Sequence, residues 1–224
     1  MPLDEHAPVI VLDGPAGAGK STVAREVARR LGLPFLDTGA IYRAITLVMK
    51  RRGIPPIDSG ELRDALEKFS ISFSGTRVFV DGEDVTDAIR TPDIDTSVSP
   101  YSALPVVRAS LLDIQRSRKE SGLVAEGRDM GTVVFPNADV KIFLTASPEE
   151  RARRRYDERT ANGEPADYGE ILRQVAERDS IDSTRDAAPL QPAVDAVTLD
   201  STGMSFEDVV ERIMERASGT RANG

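Results

Sequence analysis

Apolar residues along this 224-residue chain fall into two patterns. Short unbroken runs come first. Val9-Ile10-Val11-Leu12 is apolar and β-branched without alternation, as expected of a strand buried on both faces of a parallel sheet. Similar runs occur at Phe35-Leu36, Leu123-Val124-Ala125, Val140-Lys141-Ile142-Phe143-Leu144 and Ala196-Val197-Thr198-Leu199. Between several of them the period changes to that of a helix. From Ser21, apolar residues recur at Val23, Val27 and Leu31 and stop at Gly32, a residue type that ends helices readily. Ser147-Pro148-Glu149-Glu150 marks a helix start: a capping serine, proline at the first helical position, and glutamate three residues after the serine. Ser205-Phe206-Glu207-Asp208 is a weaker version, predicting a last helix to about Ala217 and a disordered polar tail from Ser218 to Gly224. Strand alternating with helix predicts an α/β fold with a mostly parallel central sheet.

One region departs from this rhythm. Ile71-Ser72-Phe73-Ser74, Gly75, Arg77-Val78-Phe79-Val80 and Asp81-Gly82 predict short antiparallel strands joined by turns, in an inserted lobe spanning about residues 39–105.

The first strand runs into Gly14-Pro15-Ala16-Gly17-Ala18-Gly19-Lys20-Ser21: glycine, four free positions, glycine, lysine, serine. A loop between a buried strand and a helix aims backbone N–H groups and the positive helix end at one anion. The glycines let the backbone close around phosphates, with Thr22 following in the first helical turn. Lys20 would reach the β- and γ-phosphates, and the Ser21 hydroxyl would ligate a bridging magnesium ion. This pattern points to a P-loop protein that binds a nucleoside triphosphate, without naming an acceptor.

Composition narrows the options. A hydrophobic fraction of 40% and a charged fraction of 29% are those of a globular protein, and no apolar run approaches the roughly 20 residues that cross a bilayer. The start of the chain, Met1 to Pro8, lacks a basic and then apolar leader pattern, so a cytoplasmic protein without a membrane role is expected. Zero cysteines exclude thiolate chemistry, and the single histidine, His6, sits in a stretch expected to fray. A net charge of −8 and an aromatic fraction of 5% argue against a nucleic-acid polymer as partner. Within this acidic chain, Arg151, Arg153, Arg154, Arg155 and Arg159 crowd one segment, which fits either a solvated helix face or an anion site. Arg178, Asp182 and Arg185 follow at i, i+4 and i+7 on one helix face, a spacing that equally builds an intrahelical salt-bridge row.

Further segments carry a family resemblance: Asp37-Thr38-Gly39-Ala40-Ile41-Tyr42-Arg43, Gly82-Glu83-Asp84-Val85 leading to Ile89-Arg90, Glu126-Gly127-Arg128-Asp129-Met130-Gly131-Thr132-Val133-Val134-Phe135-Pro136, Val140 to Leu144, and Glu177-Arg178-Asp179 running to Ser183-Thr184-Arg185. With the P-loop, they make the chain similar to the bacterial cytidylate kinases from about Val9 to Arg216. The resemblance implies a three-layer P-loop fold whose core covers about 8–38, 106–150 and 170–217, a monophosphate-binding lobe at the insertion, and a small helical lid at about 151–169 with its tip near Asn162-Gly163-Glu164-Pro165. It also implies a monomer that uses ATP and magnesium. By the same resemblance Arg43, Arg128 and Arg185 hold the acceptor phosphate, Ser99, Arg108 and Asp129 read cytosine, Arg178 and Asp182 lie around the pentose, and Arg154 and Arg155 touch ATP. Thr38 belongs to the acceptor wall, and Tyr42 either stacks near the base or packs in the core.

Chemistry supports these roles independently. A guanidinium forks onto phosphate oxygens, and cytosine's amino group needs an acceptor such as Asp129 while its O2 and N3 need donors. Glu126 ends an apolar strand, where P-loop proteins place the acid that supports magnesium, directly or through water. A monophosphate acceptor has a second pKa near about 6 and is already nucleophilic, so no general base is required. The expected reaction is transfer from ATP to CMP or dCMP. Rivals are a P-loop kinase for UMP, dTMP, shikimate or a nucleoside, a GTPase switch, for which the Asn-Lys-x-Asp element is lacking, and a nucleic-acid ATPase.

Overall fold

The computed structural model describes residues 7–117 and 122–221. In chain order the elements are β1 (Val9–Asp13), α1 (Lys20–Leu31), β2 (Phe35–Asp37), α2 (Thr38–Arg51), α3 (Gly60–Glu67), β3 (Ile71–Ser74), β4 (Arg77–Val80), β5 (Glu83–Asp84), α4 (Pro92–Ser102), α5 (Pro105–Arg116), β6 (Leu123–Gly127), β7 (Val140–Thr145), α6 (Pro148–Ala161), α7 (Tyr168–Thr184), β8 (Val197–Asp200) and α8 (Phe206–Arg221). A five-stranded sheet in the order β2-β6-β1-β7-β8 has every pair parallel. The unbroken apolar run of β1 is explained by its central place. Val9 and Val11 pack with Leu36, Ile41, Ile45 and Met49 on one side, and Ile10 and Leu12 with Val23, Val27, Val210 and Ile213 on the other.

Gly32 closes α1 in the left-handed region at φ 67°, with its N–H and that of Leu33 turned back onto the carbonyls of Arg29 and Ala28. Ser147 caps α6 by accepting from the Glu150 N–H at 3.2 Å. The second sheet is antiparallel in the order β3-β4-β5. Its second turn uses Asp81 at φ 50° and Gly82 at φ 83°, the pair of left-handed residues that a two-residue hairpin requires. Helix α2 serves both sheets: Ile41, Ile45 and Met49 enter the main core, while Ala40, Ala44, Leu47 and Val48 pack against Val78, Val80 and Val85 of the hairpin region.

The last helix runs past its expected end. It continues to Arg221, so residues 218–221 of the tail expected to be disordered are helical, and the Ser218 hydroxyl donates to the Met214 carbonyl one turn back. Residues 222–224 and His6 lie outside the described residues. Among the described residues no helix is long and apolar enough to cross a membrane.

Candidate active site

Parallel strands deliver their C-terminal ends to one edge of the sheet, where ligands of such folds bind. Along that edge a cleft of about 790 Å³ opens, bounded by the loop after β1, the start of α2, the segment after β6, and the facing sides of α4, α6 and α7.

The loop after β1 is backbone architecture. Gly14 stands at φ 146°, and a Cβ there would lie 1.9 Å from the Leu144 carbonyl oxygen, so only glycine lets the loop leave the sheet against β7. Gly19 caps α1 in the left-handed region at φ 87° with no side-chain cap, leaving the first helical N–H groups for another acceptor. Ala16, Gly17, Gly19, Lys20, Ser21 and Thr22 line the cleft. Pro15 and Ala18 support it from behind: the Pro15 carbonyl accepts from Lys20 Nζ at 2.9 Å, and the Ala18 carbonyl from Arg154 at 3.4 Å. Burial, reinforced by the charge of Arg128, pushes the Lys20 ammonium down to about 7, against the opposing pull of Glu126.

Register places the acid. Glu126 of β6 pairs in register with Asp37 of β2 and with Leu12 of β1, which brings it to the mouth of the loop. Its Oε1 accepts from the Ser21 hydroxyl at 2.5 Å, and its Oε2 lies 4.0 Å from Lys20 Nζ. Burial, and next the charge of Asp37, push the Glu126 carboxyl above its ordinary range. Two close carboxylates and a hydroxyl beside a phosphate cradle are hard oxygen donors that suit magnesium. Among the described residues there is no group of three or more acidic, imidazole or thiol ligands, so the protein alone offers magnesium a partial set of donors.

The opposite wall is built from side chains. Asp13, at the end of β1, accepts from the Met130 and Gly131 N–H groups at 2.8 and 2.7 Å, fixing the turn that carries Arg128 and Asp129. Burial pushes Asp13 up to about 6. Thr38 ties the start of α2 to β6 by donating to the Glu126 carbonyl at 2.7 Å. Arg128 Nε donates to Asp182 at 2.9 Å, and Arg185 lies 3.9 Å from the same carboxylate. Arg108 pairs with Asp129 through a short hydrogen bond, donates to the Ser102 carbonyl at 3.1 Å, and lies over the Tyr42 ring at 5.3 Å from its centroid. Tyr42 belongs to the core cluster and also lines the cleft. Ser99 is buried on α4 behind the wall, and Ser102, one turn further on, lines it. Arg178 Nε and Arg185 Nη2 are buried without any hydrogen-bond partner. Unpaired N–H groups on buried guanidiniums are costly, and a bound anion would satisfy them.

Arg178 does not join an intrahelical row; its Nη1 donates at 2.9 Å to Asp95 on α4. Arg43 Nη2 lies 3.3 Å from the same carboxylate, and Arg155 makes a short contact with its other oxygen. Burial opposes the Asp95 charge, but the guanidiniums of Arg178, Arg155 and Arg43 prevail and hold the carboxyl well below its usual range. Burial pushes Arg178 down to about 10 against the pull of Asp95.

The arginines of α6 separate. Arg151 is buried, bridging Ala146, Ala16 and Asp179; Arg153 is exposed among Glu150 and Asp157; Arg154, Arg155 and Arg159 line the cleft. Sequence reasoning missed Asp13 and Asp95. The first was visible only as a carboxylate ending an apolar strand, and the second only as one of two acids in the first turn of a helix, where acids complement the helix dipole anyway.

Comparison with known proteins gives consistent results. The family model for cytidylate kinase matches residues 10–219. The cytidylate kinase of Mycobacterium leprae is 47% identical over 92% of this chain and 94% of that protein. The cytidylate kinase of Pseudomonas aeruginosa is 49% identical over 92% of this chain and 93% of its own length. An uncharacterized protein from Eubacterium ventriosum shares the fold alone, with a TM-score of 0.54 at 13% identity over 96% of this chain and 99% of that one.

Proposed function

Because the chain belongs to the cytidylate kinase family and is an ATP-dependent nucleoside monophosphate kinase, we propose that its cleft transfers the γ-phosphoryl group of ATP in line to CMP or dCMP, giving ADP and CDP or dCDP. The observation that carries this reading is the wall of buried and half-buried arginines opposite the P-loop, where Arg178 and Arg185 still hold buried, unpaired N–H groups. Such a wall suits an acceptor that is itself a phosphate. Among the described residues no histidine or cysteine lines the cleft, which fits an acceptor that is already nucleophilic and needs no base.

In this reading, Lys20 and the N–H groups of the P-loop hold the donor phosphates. Arg43, Arg128 and Arg185 hold the acceptor phosphate, Arg178 and Asp182 lie at the pentose, and Asp129 with Arg108, which is set against the Ser99–Ser102 face of α4, reads the cytosine edge. Ser21 and Glu126 would hold magnesium, which when bound bridges and neutralises the donor phosphates. The protein's contribution to rate is to align two anions and offset their repulsion with fixed cations. Residues 39–105 form the acceptor lobe and 151–169 the lid, with Arg154 and Arg155 facing ATP as it closes and excludes water. One chain supplies both phosphate-binding walls, which supports a monomer. Its substrates belong to cytoplasmic nucleotide pools, which supports that location.

The test is ADP release with CMP, dCMP, UMP, dTMP and shikimate as acceptors. CMP and dCMP should exceed the others in kcat/KM by at least about tenfold. Preference for another acceptor overturns the cytosine assignment.

A further inference from the structure

We infer that Asp95 is a resident stand-in for a nucleotide phosphate: a positioning residue whose carboxylate gathers Arg43, Arg155 and Arg178 in the nucleotide-free enzyme and is displaced from them when phosphate enters. The inference rests on the kinase reading of the cleft and adds to it a competitor built into the chain.

Three observations carry it. The three arginines come from α2, α6 and α7 and converge on one side chain of α4 within the cleft. The acceptor lobe and the lid are therefore joined through a single carboxylate. Second, the match is incomplete. One carboxylate brings a single negative charge to three guanidiniums, and Arg178 Nε remains buried and unpaired. A phosphate dianion brings nearly twice the charge and three strong acceptor oxygens, so it satisfies the same donors better. Third, the neighbouring acid of the same helical turn behaves differently: Asp93 is exposed and bonds Lys50 at 2.5 Å outside this cluster. The convergence belongs to Asp95 and not to acidity of the turn.

A stand-in must be displaced before its place can be taken. If the arginines are free of Asp95 only a fraction of the time, apparent anion affinity is lowered by that fraction. Removing the carboxylate should then tighten phosphate binding, lower KM for the nucleotides and leave kcat unchanged or reduced, since closely held products leave more slowly. A brace that merely stabilised the fold would have the opposite effect on KM, because its loss would let the arginines scatter.

The experiment measures inorganic phosphate binding by calorimetry to the full chain and to three variants, with steady-state kinetics alongside. Asp95→Asn should bind phosphate about tenfold more tightly than the unmodified enzyme, as expected for a competent state populated about one-tenth of the time. Asp95→Glu, which keeps the charge, and Asp93→Asn, which removes one charge from the same turn, should each stay within about twofold of the unmodified enzyme. Phosphate affinity that is unchanged or weaker in Asp95→Asn overturns the inference, as does equal tightening in Asp93→Asn, which would reduce the effect to net charge. Should Asp95→Asn fail to fold, millimolar phosphate should restore its unfolding transition by taking the carboxylate's place, and failure to restore it overturns the inference as well. Phosphate binding is read without turnover, so absence of CMP phosphorylation by the unmodified enzyme would refute the kinase reading separately.

Discussion

In the proposed reading, the two walls of the cleft solve one problem, holding a phosphate, by different means. The donor wall is contiguous in sequence and made of backbone: the loop from Gly14 to Gly19, with Gly17 and Gly19 in positive-φ conformations at the cleft itself, leads into the uncapped N–H groups at the start of α1. The acceptor wall is assembled from α2, α4, α5, α7 and the turn after β6, and ion pairs between side chains hold Arg43, Arg108, Arg128 and Arg178 in it. Backbone N–H groups have one geometry and no charge to neutralise. Guanidiniums are charged and need partners while the site is empty, which is why Asp95, Asp129 and Asp182 stand among them. A backbone cradle is ready whenever the fold exists, whereas a side-chain cradle carries its own internal competitors.

If that contrast holds, the largest effect comes from the lysine that follows the donor loop. Lys20→Ala should cut turnover by about 10³-fold or more at saturating ATP, because the lysine acts on charge that shifts during transfer. Its fold should survive, since removing a buried ammonium also removes its desolvation cost. Turnover within tenfold of the unmodified enzyme would break the donor assignment.

Next in size is Arg128, paired to Asp182 and within the charge field of Lys20 and Glu126. Arg128→Ala should lower kcat by about 10²-fold, less than the 10³ to 10⁵ of a solitary transition-state arginine, because Arg43 and Arg185 compensate in part. Arg128→Lys should rescue poorly, since an ammonium cannot fork onto two oxygens. If both variants keep kcat and raise only KM for CMP, Arg128 anchors the ground state alone.

A smaller effect concerns base choice. Asp129 and Arg108 are both buried, so Asp129→Ala would leave an unpaired guanidinium at about 3–5 kcal/mol of stability and confuse selectivity with folding. Asp129→Asn keeps a hydrogen-bond acceptor and offers cytosine's amino group a weaker one. The CMP-to-UMP ratio of kcat/KM should fall by about tenfold, with less loss for the better substrate. A ratio that holds while the rate declines makes Asp129 a partner of Arg108 only.

The contrast also explains what could be read from the chain before its fold was seen. Strands β1, β6 and β7, the glycine end of α1, the capped start of α6, and the P-loop follow from local rules: burial runs, capping serine, glycine conformations. The expected arginines stand on the cleft for the same reason that motifs exist, as short segments with fixed chemistry. Asp95 could not be read this way, because its three partners lie 52, 60 and 83 residues away and only tertiary packing brings them together. Asp13 was hidden differently: it touches backbone of residues 117 and 118 positions on, and a backbone partner leaves no signature in sequence. The extension of α8 beyond about Ala217 was missed because serine and glycine weaken a helix by propensity without forbidding it.

The smallest effect distinguishes the walls by their titration. The donor wall depends on a lysine that burial has pushed down to about 7 from its ordinary 10.5, while the acceptor wall uses arginines, of which even the depressed Arg178 stays protonated below about 10. In the empty enzyme the fold holds the Lys20 proton less tightly than the unfolded chain does, so between about 7 and 10.5 this group makes stability rise with pH. An arriving triphosphate reverses the shift, since its charge favours the ammonium. Binding of ATP at about pH 8 should therefore take up a fraction of a proton, and ATP affinity should weaken as pH rises further. Binding of CMP, held by groups that stay charged, should take up much less. Calorimetry of each nucleotide in two buffers of different ionisation enthalpy counts these protons, and Lys20→Met provides the reference. Equal uptake by the unmodified enzyme and Lys20→Met would remove Lys20 as the source, and equal uptake for ATP and CMP would erase the distinction between a titrating donor wall and a permanently charged acceptor wall.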